Sequence, residues 1–195
     1  MATDAINCKR CHPLRPWVRA ADEEAEGSAV AICGATLGIM DRSFDKIAGE
    51  IEAFAREAES LAALEEFVVE RVAGVEHYDW VGFYMLDAGD PEMLVLGPFR
   101  GAPTEHVRIP VSRGICGAAV AQGTTIVVDD VAADPRYLAC SLETRSEIVV
   151  PIRVRGRVVG EIDIDSHAAA AFGAEDRAFV ERCAGIVGKF IERRK

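Results

Sequence analysis

A chain of 195 residues, half of them hydrophobic, can bury one full core, so one domain plus an extension is the natural expectation. Its formal net charge of −10 argues against a nucleic-acid backbone or an anionic membrane as the main partner. Six cysteines at irregular spacing do not form the framework of a small secreted disulfide scaffold.

Residues 1–40 hold no sustained period and mix Pro, Gly, Cys, Arg and acids, which reads as a poorly ordered extension ahead of a domain over 41–195. Its apolar run, Ala29 to Met40, is too short to span a bilayer and follows the acidic Asp22-Glu23-Glu24-Ala25-Glu26, a poor secretory signal. The expected compartment is therefore the cytoplasm, with reducible thiols. Cys8-Lys9-Arg10-Cys11-His12 matches the spacing of a haem attachment, but that chemistry belongs to exported proteins. As a zinc half-site it lacks two ligands in register, since Cys33 is distant and His77 falls inside the domain, so no metal is expected.

From Phe44 the pattern turns helical. Phe44, Ile47, Ile51, Phe54, Ala58 and Leu61 keep an i, i+3/i+4 stripe that Leu64, Phe67, Val68 and Val72 continue, with Ser60 as a break or N-cap and Gly74 as a stop. Trp80 to Leu86 is a strand ending in the Asp87-Ala88-Gly89-Asp90-Pro91 turn. Met93 to Leu96 is its return, and Val107 to Pro110 a third strand. Gly114 to Gln122 is small and Ala-rich, which suits a short closely packed helix. Thr125 to Val128 is a further strand, and an acidic loop with Asp134-Pro135 follows. Ile148–Val154 and Val158–Ile164 flank Arg155-Gly156, a hairpin signal. Arg153, Arg155 and Arg157 alternate with apolar residues at its tip, as on a solvated strand face.

The last helix carries Phe179, Val180, Cys183, Ile186, Val187, Phe190 and Ile191 on its apolar side, with Glu175 and Asp176 at its start and Arg193, Arg194 and Lys195 at its end. Helices at both ends with five to six mostly antiparallel strands between them give an α+β sandwich.

Three carboxylates, Glu147, Asp163 and Asp165, sit on or beside apolar strand runs, where an acid is costly without a partner or a task. Asp163 and Asp165 share a strand face, so they repel unless a cation lies between them or a proton is retained. Cys140 stands in a polar loop near Arg136 and Arg145, a setting for a reactive thiol more than a structural one. Cys116, between glycines, fits a reactive or a packing role equally. Trp80 and Tyr84 alternate onto one face of a strand, where aromatics are ordinarily core.

From Phe44 onward the chain resembles a GAF domain, and within that superfamily the free methionine-(R)-sulfoxide reductases. The resemblance rests on Asp79-Trp80-Val81-Gly82-Phe83-Tyr84, Leu96-Gly97-Pro98-Phe99, Val107-Arg108-Ile109-Pro110, Gly114-Ile115-Cys116-Gly117, Ser146-Glu147-Ile148-Val149-Val150-Pro151 and Asp163-Ile164-Asp165-Ser166, with a cysteine seven residues before Glu147. A GAF fold alone says little of function. The resemblance implies a GAF-like fold and a thiol-dependent reduction of free L-methionine-(R)-sulfoxide. It implies Cys140 as catalytic cysteine and Cys116 as its resolving candidate. Glu147, Asp163 and Asp165 would hold substrate, and Trp80 and Tyr84 would form the aromatic wall.

No cofactor is implied beyond a thioredoxin-type or small-thiol reductant, and a homodimer is among the expected assemblies. The chain departs from the family at His106, ten residues before Cys116, where the resemblance leads one to expect a third, resolving cysteine. The rival reading is a non-catalytic GAF module that binds a small ligand and signals. Turnover by Cys140→Ser separates the two.

Overall fold

The stripe that starts at Phe44 becomes two helices, α1 (Asp41–Glu57) and α2 (Leu61–Val72), in a computed structural model that describes residues 41–138 and 141–194, with side chains from residue 44. The extension expected over 1–40 and the catalytic candidate Cys140 lie outside the described residues. Ser60 caps α2: its backbone is extended, and its hydroxyl oxygen accepts from the Ala63 amide at 3.1 Å.

Six strands follow: β1 (Trp80–Leu86), β2 (Met93–Arg100), β3 (Arg108–Pro110), β4 (Ile126–Val128), β5 (Ser146–Val154) and β6 (Arg157–Ser166). They form one sheet in the order β3-β2-β1-β6-β5-β4, every neighbouring pair antiparallel. Between β3 and β4 lies α3 (Gly114–Gln122), and α4 (Ala174–Arg193) closes the chain. The expected GAF-like α+β layering is therefore present. β2 runs four residues beyond the reading that ended at Leu96, because pairing to β1 resumes at Phe99 and Arg100 after an irregularity at Gly97-Pro98. In the β5–β6 turn Arg155 and Gly156 both take positive φ, 51° and 80°, as the two central residues of a tight primed turn require.

Period-two alternation then sorts the sheet's two faces. Val81, Phe83, Ile148, Val150, Ile152, Ile162 and Ile164 point to the main core with α1, α2 and α4. Trp80, Tyr84 and Val149 point the other way, into a second core with Ile115, Cys116, Ala119 and Val120 of α3. Phe44 stacks on Phe179 at 4.5 Å, and Arg182 pairs with Asp45 at 2.7 Å, so α1 and α4 meet by apolar contact and by charge. α4 lies so close on β5 that a methyl at Gly188 would stand 2.3 Å from the Arg153 carbonyl oxygen. No helix among the described residues is long and apolar enough to cross a membrane.

One acid in this framework has a stability consequence. Glu65 of α2 is only 6% exposed, its Oε1 meets no donor, and burial raises its carboxyl to about 7. The unfolded chain then holds fewer protons than the folded one between roughly pH 4.5 and 7, so this group's contribution to stability falls as pH rises through that window. Glu65→Gln is expected to stabilise the protein by about 1–3 kcal/mol at pH 8 and by much less near pH 4.5. Urea melts of both proteins at the two pH values measure this; an equal difference at both would refute the origin in an ionised carboxylate.

Candidate active site

β6 alternates acid with isoleucine, so Glu161, Asp163 and Asp165 fall on one face while Ile162 and Ile164 enter the main core. Register fixes their neighbours. On β1, Trp80 lies opposite Asp165, Gly82 opposite Asp163 and Tyr84 opposite Glu161. On β5, Glu147 lies opposite Asp165 and Val149 opposite Asp163. The four acids are nearly sealed from solvent: Glu147 is 4% exposed, Glu161 0%, Asp163 2% and Asp165 3%.

α3 delivers Cys116 onto this face. Its Sγ lies 3.5 Å from Asp163 Oδ2 and 3.9 Å from Glu147 Oε1, and the single S–H proton can serve only one of them at a time. Burial raises all four carboxyls. Asp163 rises to about 7, with the Cys116 thiol partly offsetting the burial. Glu147 is held well above the usual carboxylate range by burial and then by the charges of Asp163, Asp165 and Glu161. Glu161 is raised by burial and then by Asp163, and Asp165 likewise, with a Thr144 hydrogen bond working against it. Arg136 stands within electrostatic reach of Glu147, but Asp134 holds its guanidinium in a two-point pair at 2.6 and 3.0 Å. Burial and the acids' mutual repulsion thus both favour their protonated forms, and a cation among them would favour the ionised ones.

Of the four acids, Asp165 lines a small cavity of about 40 Å³, together with Asp79, Trp80, Ala102, Ser141, Thr144 and His167. Trp80 forms its wall, with Nε1 donating to the Ala102 carbonyl at 3.1 Å. The indole is bracketed by two glycines: a methyl at Gly82 would stand 2.3 Å from its Cη2, and one at Gly101 2.6 Å from its Cδ1. Tyr84 is fully buried behind Trp80, ring centroids 6.3 Å apart, and its hydroxyl donates to the His106 carbonyl at 2.8 Å. His106, where the family resemblance leads one to expect a cysteine, is therefore tied by its backbone to the aromatic wall. At the cavity mouth His167 sits 3.5 Å from Asp79 and 3.8 Å from Glu143.

The structure brings Cys116, Glu147, Asp163, Asp165, Trp80 and Tyr84 to one face of the sheet; Cys140 is outside the described residues. Sequence reasoning passed over Glu161, although the period of two that linked Asp163 to Asp165 extends back to it. It gave no site role to Asp79 or His167 and did not single out Thr144; loops bring all three to the cavity without any periodic signal.

The GAF domain profile matches residues 60–191. The free methionine-R-sulfoxide reductase of Escherichia coli (strain K12) is 38% identical over 138 residues, which cover 70% of this chain and 77% of that protein. The protein of that name from Saccharomyces cerevisiae is 39% identical over 112 residues, covering 57% of this chain and 62% of its own length. Among solved structures, free methionine-R-sulfoxide reductase from Neisseria meningitidis, in complex with its substrate, superposes with a TM-score of 0.75 at 34% identity, covering 82% of this chain and 95% of that one. An acid-lined pocket on a six-stranded antiparallel sheet, matched over most of its length by these relatives, makes this chain a GAF domain protein of the free methionine-R-sulfoxide reductase family.

Proposed function

We propose that the chain reduces free L-methionine-(R)-sulfoxide to methionine by thiol chemistry. The observation that carries this reading is the sealed cluster of Glu147, Asp163 and Asp165 beside Trp80. Such a cluster favours a small cation with an apolar tail, and a free amino acid supplies both: its ammonium answers the acids, and its methylene and methyl groups lie on the indole. A peptide bond removes that ammonium and leaves desolvated acids unanswered.

In the proposed reaction the Cys140 thiolate attacks the sulfoxide sulfur while a protonated carboxyl of the cluster gives its proton to the oxygen. The S–O bond of the substrate breaks, the oxygen and its proton leave on Cys140 as sulfenic acid, and methionine is released. The raised carboxyl of Asp163 suits the proton-donor role at neutral pH. The Cys116 thiol then condenses with the sulfenic acid, forming the disulfide and losing water. A thioredoxin-type or small-thiol donor restores both thiols with two electrons and two protons. With His106 in place of the expected cysteine, recycling falls to Cys116 or to an external thiol. A cytoplasmic setting, where such donors are kept reduced, belongs to the same proposal.

Reductant consumption with the R- and S-epimers of free methionine sulfoxide, beside a peptide-bound sulfoxide, tests the reading. Turnover of the free R-epimer alone is expected. Cys140→Ser should lose single-turnover methionine release by at least about 10³-fold, as removal of a nucleophile does. Release at the wild-type rate would reject Cys140 as nucleophile, whereas ligand binding without turnover of either epimer by the wild type would favour the binding-module reading. Cys116→Ser should keep stoichiometric release and lose thioredoxin-supported turnover, with dithiothreitol restoring it.

A further inference from the structure

Cys116 Sγ, a Glu147 carboxylate oxygen and an Asp163 carboxylate oxygen all lie within 4.8 Å of one another, and all three side chains are buried. Metal–sulfur and metal–oxygen bonds of about 2.3 and 2.0–2.2 Å at tetrahedral angles place sulfur and oxygen ligands about 3.5 Å apart. The sulfur-to-oxygen separations here are 3.5 and 3.9 Å, so small side-chain rotations would complete such a geometry.

A second observation points the same way. Glu161, on the same face as Asp163, has only the Cys116 thiol near enough to answer its two buried carboxylate oxygens, and Asp163 Oδ1 meets no donor. One thiol proton cannot satisfy this many acceptors, whereas a doubly charged ion satisfies several together.

We infer that Cys116, Glu147 and Asp163 form a binding site for a divalent ion of the zinc class, with the fourth position open to water or to Glu161. The thiolate excludes magnesium and calcium, which take oxygen ligands, and selects zinc or cadmium. The cavity lined by Asp165, the register partner of Glu147, offers the entry route. The ion is an occupant and not a cofactor. It would engage the carboxylates read above as holding the ammonium, and it would tie up the Cys116 sulfur. The site stands on its own geometry; only its inhibitory consequence rests on the proposed reaction.

Cadmium titration of the reduced full-length protein, carrying Cys8→Ser and Cys11→Ser so that the N-terminal pair does not compete, tests this through the ultraviolet thiolate-to-cadmium absorption. No turnover enters the readout, so the result is independent of the proposed activity. One equivalent is expected to bind, with loss of the band in Cys116→Ser and no change in Cys183→Ser. Asp163→Asn and Glu147→Gln, each checked for folding by circular dichroism, should weaken binding by about 10- to 100-fold. A band of unchanged amplitude and affinity in Cys116→Ser, or unchanged affinity in both carboxylate variants, would overturn the site. Displacement of cadmium by equimolar magnesium would overturn it as well.

Discussion

Asp165→Asn is expected to lower kcat/KM for free methionine sulfoxide by about 10²- to 10³-fold while leaving the fold intact. Asp165 is 3% exposed and faces the cavity, so its carboxylate would meet the substrate ammonium almost without water. Removing one partner of a buried charged pair costs about 3–5 kcal/mol, and each 1.36 kcal/mol is a factor of ten. The ligand-free protein should respond in the opposite sense. There Asp165 adds repulsion to Asp163 and Glu147, so the asparagine variant should melt at a higher temperature than wild type.

A double comparison isolates the pair. N-acetylation of the substrate should cost the wild type a factor similar to that of the mutation and cost Asp165→Asn little more, because the same interaction is already gone. Equal losses from N-acetylation in both proteins would show that Asp165 does not meet the ammonium.

Gly188→Ala is expected to destabilise the protein by about 2–3 kcal/mol, whereas Gly185→Ala, one turn away on the same helix, should stabilise it by about 0.5–1 kcal/mol. Both exchanges gain the same helix propensity. They differ in what the new methyl meets: the Arg153 carbonyl oxygen at 2.3 Å for position 188, and nothing within 4 Å for position 185. The carbonyl belongs to β5, which at Arg153 is held by its pairing with β6, so relief comes with α4 moving off the sheet, which loosens Phe179, Val187 and Phe190 in the main core. Denaturant midpoints of the two variants measure the contrast. A stabilising Gly188→Ala would mean that α4 and β5 do not lie this close.

The fold was legible wherever burial imposes a period. The stripe from Phe44 gave α1, and the alternation of Ile162 and Ile164 with Asp163 and Asp165 gave both the strand and the face on which the acids sit. Ser60 was legible as a cap because a hydroxyl before an apolar stripe has one common use. The site was legible as far as the strands carry it. Glu161 lies outside the family motif that holds the two aspartates, although the same alternation contains it. Thr144 and His167 were not legible, since irregular chain brings them to the cavity and no spacing rule predicts that. The proximity of Cys116 to Asp163 was also hidden: it depends on how α3 crosses the sheet, a tertiary fact with no local signature.

The indole of Trp80 between Gly82 and Gly101 also limits how this sequence can drift. Neither glycine can become alanine while tryptophan stands at position 80, because each new methyl would fall inside the ring's own space. Positions 80 and 82 therefore accept change only in one order, with a smaller residue at 80 first and a side chain at 82 afterwards. Each intermediate along that path lacks the aromatic wall. Purifying selection on the pocket would therefore preserve two glycines through the indole they hold. Related sequences that have abandoned this tryptophan should be the ones in which Gly82 is free to vary, while Gly101, at φ 122° and with the Asp79 carbonyl oxygen 2.8 Å from a built Cβ, stays glycine.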